Sequence, residues 1–417
     1  MSAMYRMFVS FVLAMLIASC AAPIPTLPPT VSSTAAPTQE PVPPVSIARH
    51  PAPAVFSRFN LFTQPPVYDP KSSDGWQVDL RSFDLTKLDL SKSTSDLLFA
   101  DFDSRTQWPP SDKMPADFDW QQIMEIGKDP GLGIRTLHDQ GITGQNVGIA
   151  IIDQTLLVDH IEYSDRLRLY EEPEQRDRGM AARMHGPAVA SIAVGTTVGV
   201  ATEADLYYIA APLCFENNDF SCLARSVRRV IEINRTIPAE HKIRVLAIAR
   251  GWDSVEFGYD DIMTAVKEAS AEGIFVISSS LSETHGLNFH GLGRSPLSDP
   301  NDVWSYEPGL WWQDRFYIDG FYYSPVLLVP MDSRTTASPT GAEDYVFYRQ
   351  GGWSWSIPYL AGMYALAVQA KPDITPEEFW STALSTGETI HIGHNGKDYE
   401  FGIILDPQEL IEAIKTK

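Results

Sequence analysis

Four short runs of apolar, β-prone residues, Val147–Asp153, Ala204–Ala211, Ile243–Arg250 and Gly273–Ser280, follow one another in this chain with amphipathic stretches between them. Such runs lack the polar alternation of a half-exposed strand, so each reads as a strand buried on both faces. The stretches between them, including Ala188–Val194, Leu223–Asn234 and Asp260–Glu272, have helical spacing. Buried strands that alternate with helices require a mainly parallel sheet, because parallel neighbours are joined by crossovers whose helices cover the sheet. The fold class is therefore α/β, a mainly parallel sheet flanked by helices. Ligands in such sheets bind beyond the carboxyl ends of the strands, and Asp153 closes the first run. Helices predicted at Ser354–Gln369, Thr375–Leu384 and Pro407–Ile414 complete the domain, with Pro358 in the first turn of the earliest, where a missing N–H is tolerated.

Residues 56–135 mix aromatic and acidic residues with prolines and show little helical periodicity, so they read as an irregular N-terminal extension. Leu80, Leu85 and Leu90 recur every fifth residue, each after an Asp, which suggests a three-turn, pentapeptide-like coil. Those leucines, with Phe83 and Trp76, are expected to form core contacts of the extension. Leu287 to Tyr348, rich in Pro, Gly, Asp and Tyr, yields no element. At the start of the chain, Arg6 and the apolar run from Phe8 to Ile17 read as a secretion signal, since the run is short for a bilayer span. It ends in Ile17-Ala18-Ser19-Cys20, and small residues before a cysteine resemble the lipobox of bacterial lipoproteins. That resemblance implies that Cys20 is acylated and becomes the mature N-terminus; an ordinary signal peptide with an incidental cysteine is the alternative. From Ala21 to about Pro53 the chain is dominated by Pro, Thr, Ser, Ala and Val, a composition that cannot offset ordering entropy and reads as a tether. The expected organisation is a signal peptide at 1–19, a tether at 20–55, the extension at 56–135 and the main domain at 136–417.

With 53 acidic against 32 basic residues the formal charge is -21. That balance repels phosphate backbones, and no Lys/Arg cluster offers a local exception, so nucleic acid is excluded as a partner. His160, His241, His285, His290, His391 and His394 show no metal-ligand spacing, and neither a metal nor another cofactor is expected. Cys214 and Cys222 have seven residues between them. In an oxidising compartment they are expected to bridge an exposed polar loop, two buried free thiols being the alternative.

Three segments carry chemistry. Ala150-Ile151-Ile152-Asp153-Gln154-Thr155 ends a strand in a carboxylate. Met184-His185-Gly186-Pro187-Ala188-Val189-Ala190-Ser191 places a histidine at a helix start. Gly352-Trp353-Ser354-Trp355-Ser356-Ile357-Pro358-Tyr359-Leu360-Ala361-Gly362 does the same for a serine. Singly, each residue has an ordinary use as a cap or a surface group. Together they suit acyl transfer: a serine hydroxyl attacks only when a base removes its proton, a histidine can be that base near neutral pH, and an aspartate fixes the imidazole tautomer. A helix N-terminus adds backbone N–H groups and positive potential where an oxyanion develops.

The order Asp, His, Ser and these local settings resemble the subtilisin-like serine peptidases, over about residues 136–417. In that family the segments read approximately Asp-Thr/Ser-Gly, His-Gly-Thr-His-Val-Ala-Gly and Gly-Thr-Ser-Met-Ala-Ser-Pro-His-Val-Ala-Gly. The resemblance implies Asp153, His185 and Ser354 as the triad. It puts Ser282 where the family has its oxyanion Asn, with Asn288 as an alternative donor. It also implies that Ala249, Arg250, Gly251 and Trp252 line one wall of the specificity pocket and Ser278, Ser279 and Ser280 the other, with the peptide bound by strand addition. The departures are Ala188 for the second histidine, the missing Gly after Asp153, and Trp353 and Trp355 beside the serine. Trp355 is expected to pack the helix start, while Trp353 suits either packing or the cleft wall. The implied function is an extracytoplasmic serine endopeptidase, with a protein or peptide as substrate and a lipid anchor at Cys20 as its membrane contact. Ser282, Ala188 and the altered serine motif motivate a rival, a peptide-binding protein that keeps the fold without the chemistry. An esterase or transpeptidase with the same triad is a third reading.

Overall fold

The computed structural model describes residues 45–56, 62–72, 77–321 and 324–416. Cys20, the apolar run before it, the tether up to residue 44 and Trp76 lie outside those residues. Three strands precede the first apolar run: β1 (Ser46–Ile47), β2 (Val78–Asp79) and β3 (Ala100–Asp103). Next come β4 (Gly148–Asp153), β5 (Leu167–Glu171), β6 (Asp205–Ala210), β7 (Ile243–Ile248) and β8 (Phe275–Ser278). The four apolar runs thus form β4, β6, β7 and β8, trimmed at their ends. The main sheet has the order β1-β5-β6-β4-β7-β8, and each adjacent pair is parallel. With helices on both faces, this is the expected α/β architecture, a parallel sheet flanked by helices.

Side chains alternate across a strand, and β4 shows why its sequence must be apolar throughout. Ile149 and Ile151 enter the core that also holds residues of the helices His185–Val194 and Trp353–Ala370. Ala150 and Ile152 enter the opposite core, shared with the helices Phe220–Thr236 and Tyr259–Ala271.

Seven further strands follow: β9 (Phe289–Arg294), β10 (Tyr306–Pro308), β11 (Leu327–Pro330), β12 (Arg334–Ala337), β13 (Tyr345–Tyr348), β14 (Glu388–His394) and β15 (Lys397–Ile404). Five of them lie in the segment 287–348, where no element is expected from the residue pattern. They are short, and buried polar residues such as Arg334, Thr335 and Thr336 mask the apolar pattern. One sheet runs β10-β9-β11-β15-β14 and another β12-β13-β3-β2, so the extension shares a sheet with strands of the main domain.

The leucine spacing corresponds to three equivalent turns. Leu80, Leu85 and Leu90 are fully buried, and their N–H groups donate to the carbonyls of Asp101, Gln107 and Lys113, each at 2.8 Å. The preceding Asp79, Asp84 and Asp89 accept the N–H of Arg81, Thr86 and Ser91. Each aspartate thus closes its own turn, as a short polar side chain does in loops.

Two local expectations need correction. Cys214 and Cys222 are bonded to each other with Cα atoms 5.6 Å apart, but both are buried, and only residues 216–218 between them are exposed. They sit in the helices Pro212–Glu216 and Phe220–Thr236, which pack them into a core. The serine-bearing helix begins at Trp353, so Pro358 falls in its second turn. Proline has no N–H to donate to the residue four earlier, and the Ser354 carbonyl lacks that helical bond.

Candidate active site

β4 delivers Asp153 to the carboxyl-terminal rim of the sheet with its side chain fully buried. Its Oδ1 accepts the Gln154 N–H at 2.7 Å and a bond from His185 Nδ1 at 2.7 Å. A carboxylate only accepts, so this contact assigns the imidazole proton to Nδ1 and leaves Nε2 as a potential base. His185 opens its helix and keeps 18% of its side chain exposed, so the imidazole is reachable while its partner is dry. The close approach of this helix depends on Gly186. A Cβ there would stand 2.6 Å from both the Gln154 carbonyl oxygen and Tyr208 Oη.

The serine is set by a different device. Asp332 is buried and accepts the Gly351 N–H and the Leu310 N–H, both at 2.8 Å. Burial pushes its carboxyl up to about 6. Gly351 has no room for a side chain, since a Cβ would lie 2.4 Å from the Met331 carbonyl oxygen. Gly352 follows at φ 146°, where glycine is favoured. The helix then starts, and Ser354 stands in its first turn, where backbone N–H groups have no intrahelical acceptor.

Trp355 packs inward, its ring 5.4 Å from that of His185 and 5.3 Å from that of Tyr348. Ser354 is therefore one residue from the ring that covers His185. Among the hydrogen bonds of the described residues, none joins Ser354 to His185. Catalytic bonds of this kind are commonly long in a ligand-free enzyme and tighten when substrate binds.

The two segments assigned to the pocket walls lie side by side and are bonded directly. The Ser279 N–H donates to the Arg250 carbonyl at 3.1 Å. Ser280 Oγ accepts the Trp252 N–H at 2.9 Å and donates to the Trp252 carbonyl at 3.0 Å. Ala249, Trp252, Ser278 and Ser280 are buried in this junction, whereas Arg250, Gly251 and Ser279 keep exposed surface. The Arg250 guanidinium donates to Asn218 Oδ1. Ser282, in the helix Leu281–His285, and Asn288, just before β9, both line one cavity with Trp353.

That cavity went unnoticed in the sequence. Its walls include Trp311, Trp312 and Phe316, which belong to the segment without assigned elements. The adjacent Trp311-Trp312 pair was the available signal. Among the described residues no group of three or more His, Cys, Asp or Glu is placed to hold a metal ion.

A family model described as Subtilase family, Peptidase_S8, matches residues 144–307. The matched span includes Asp153, His185, both wall segments, Ser282 and Asn288, and ends before Ser354. Among solved structures, the PatG macrocyclase domain is 15% identical over 68% of this chain and 95% of its own, with a TM-score of 0.44. The prenylagaramide maturation protease PagA is 15% identical over 68% of this chain and 98% of its own, with a TM-score of 0.46. No curated protein matches the sequence.

Proposed function

We propose that this chain carries a peptidase domain of the subtilase type, on the match of residues 144–307 to that family's model, and that it is a serine endopeptidase acting through Asp153, His185 and Ser354. The observation that carries the reading is the 2.7 Å bond from His185 Nδ1 to the buried Asp153 carboxylate at the rim of the parallel sheet. In the proposed reaction His185 Nε2 takes the Ser354 Oγ proton as Oγ attacks the peptide carbonyl. Asp153 stabilises the imidazolium, which then protonates the leaving amine. The acyl group stays on Ser354 until water, deprotonated by the same imidazole, releases it. The oxyanion would receive the Ser354 N–H together with Ser282 or Asn288. A serine hydroxyl reaches less far than an Asn amide, and losing one such donor costs about 100- to 1000-fold in turnover, a magnitude taken from a subtilisin.

Replacing Ser354 by Ala is expected to lower kcat/KM on an unstructured protein substrate to background while the thermal midpoint stays within a few degrees. Hydrolysis that survives this change would refute the assignment. A second reading, a peptide-binding protein with decayed chemistry, is favoured by Ser282 at the place of the oxyanion Asn. It expects the unaltered protein to bind peptides and cleave none. We place the enzyme outside the cytoplasm, held to a membrane through acylated Cys20 and the tether, on the resemblance of Ile17–Cys20 to a lipobox.

A further inference from the structure

The expected specificity pocket lies between two segments that here are bonded to each other, and a cavity of about 340 Å³ has Ser279 and Ser282 in its wall but none of residues 249–252. Trp353, the residue before the proposed nucleophile, forms part of its wall. Phe289, Trp311, Trp312, Phe316 and Phe321 supply the other rings. The Trp353 ring centroid lies 5.5 Å from that of Phe289 and 5.6 Å from that of Trp311.

The polar edges of these rings are already engaged. Trp312 Nε1–H donates to the Gly291 carbonyl at 2.8 Å, Trp311 Nε1–H to Met331 Sδ at 3.3 Å, and Trp353 Nε1–H to His290 Nδ1 at 3.4 Å. His290 Nδ1 also accepts the Gly291 N–H at 3.0 Å. His290 lies among the three tryptophans, stacked on Trp311 at 5.3 Å, tilted to Trp312 at 3.9 Å and edge-on to Trp353 at 5.2 Å. Burial holds it down to about 3, so it is neutral near pH 7 and offers no positive charge. The rings therefore offer a ligand their faces, and the polar part of the lining is confined to His290, Ser279, Ser282, Asn288 and Arg315. The volume is at the lower end of small-ligand sites, about 300–1,000 Å³, which suits one large side chain.

We propose that this cavity receives an aromatic or other large apolar side chain of the peptide substrate, flanking the bond that Ser354 attacks. The proposal rests on the peptidase reading for the word substrate, but the binding preference stands without it. Trp311 is its most accessible ring, 45% exposed, and can be removed at little cost to folding.

The test uses blocked peptide pools with one position fixed in turn as Phe, Ala or Glu. Binding to the full chain carrying Ser354→Ala is read by tryptophan fluorescence, and kcat/KM is read on the unaltered chain. The Phe pool is expected to bind about 10- to 100-fold tighter than the Ala pool at one position. Trp311→Ala added to Ser354→Ala should cut that ratio below about threefold on the same area argument. Should the double variant fail to fold, the pool ratio on Ser354→Ala decides alone. Equal binding of the three pools, or a preference for Glu directed by Arg315, which also lines the cavity, would overturn the proposal. Tight Phe binding without any hydrolysis by the unaltered chain would sink the peptidase reading and leave this preference standing.

Discussion

A methyl group at position 186 is the smallest change that bears on the Asp153–His185 contact. The strand end and the helix start meet so closely there that only glycine fits, and the added carbon would press on Gln154 and Tyr208. The backbone would have to yield, carrying His185 with it. Misplacing a catalytic group by about 1 Å can cost on the order of 100-fold. Gly186→Ala is therefore expected to lower kcat/KM by about that factor and to destabilise the fold by about 1–3 kcal/mol through overpacking. Unchanged kinetics on a folded Gly186→Ala protein would show that the contact tolerates the shift. Ala188, which stands where the family has a second histidine, is fully buried in the core beside the sheet. A histidine there would need a partner, so the departure belongs to the packing of this helix.

At the scale of elements, the sequence was most legible where physics left one choice. β4, β6, β7 and β8 have both faces covered, so they are apolar nearly throughout and stand out as runs, with Asp205 at the start of β6 and Arg244 in β7 among the exceptions. β5 breaks its run with Arg168, whose guanidinium pairs with Asp205 at 2.6 Å, and β1 has only two residues. β12 was illegible because Arg334 is buried against the Pro130 and Val198 carbonyls, contacts that no local pattern encodes. The same holds for the site. Asp153, His185 and Ser354 stand out through their short motifs, while the aromatic cavity is assembled from segments with no periodicity.

The extension is the element whose role sequence left most open. Its strand β3 pairs with β13, Arg349 N–H donates to the buried Asp101 carboxylate at 2.7 Å, and Arg349 Nε donates to the Leu98 carbonyl at 3.1 Å. Phe347 is buried in the extension's own core. Removing residues 56–129 would expose that ring and take away the Asp101 and Leu98 acceptors of the Arg349 N–H and Nε, while its Nη1 keeps the Arg294 carbonyl; at about 1–3 kcal/mol for each such group the loss is several kcal/mol. We propose that the extension is a permanent part of the folded protein and is not released on maturation. The truncated chain is expected to be insoluble or to lack a cooperative thermal transition; a soluble, active truncation would contradict this.

For the whole molecule, the formal charge of -21 makes association with anionic surfaces unfavourable, so the proposed membrane contact needs a source other than charge. Among the described residues no helix is long and apolar enough to cross a membrane. The proposed contact is Cys20, and one acyl chain alone holds weakly while two hold well. Cys20→Ser is expected to abolish incorporation of a labelled fatty acid and to move the protein from the membrane fraction to the soluble one. Unchanged labelling would place the lipid elsewhere or nowhere.

The most direct measurement is the site of reaction with a fluorophosphonate, read by mass spectrometry of the digested protein. The expected result is one adduct, on the peptide that holds Ser354, lost when either Ser354 or His185 is replaced by Ala. An unaltered protein that takes no adduct, or an adduct that survives both replacements, would contradict the assignment of these residues to catalysis.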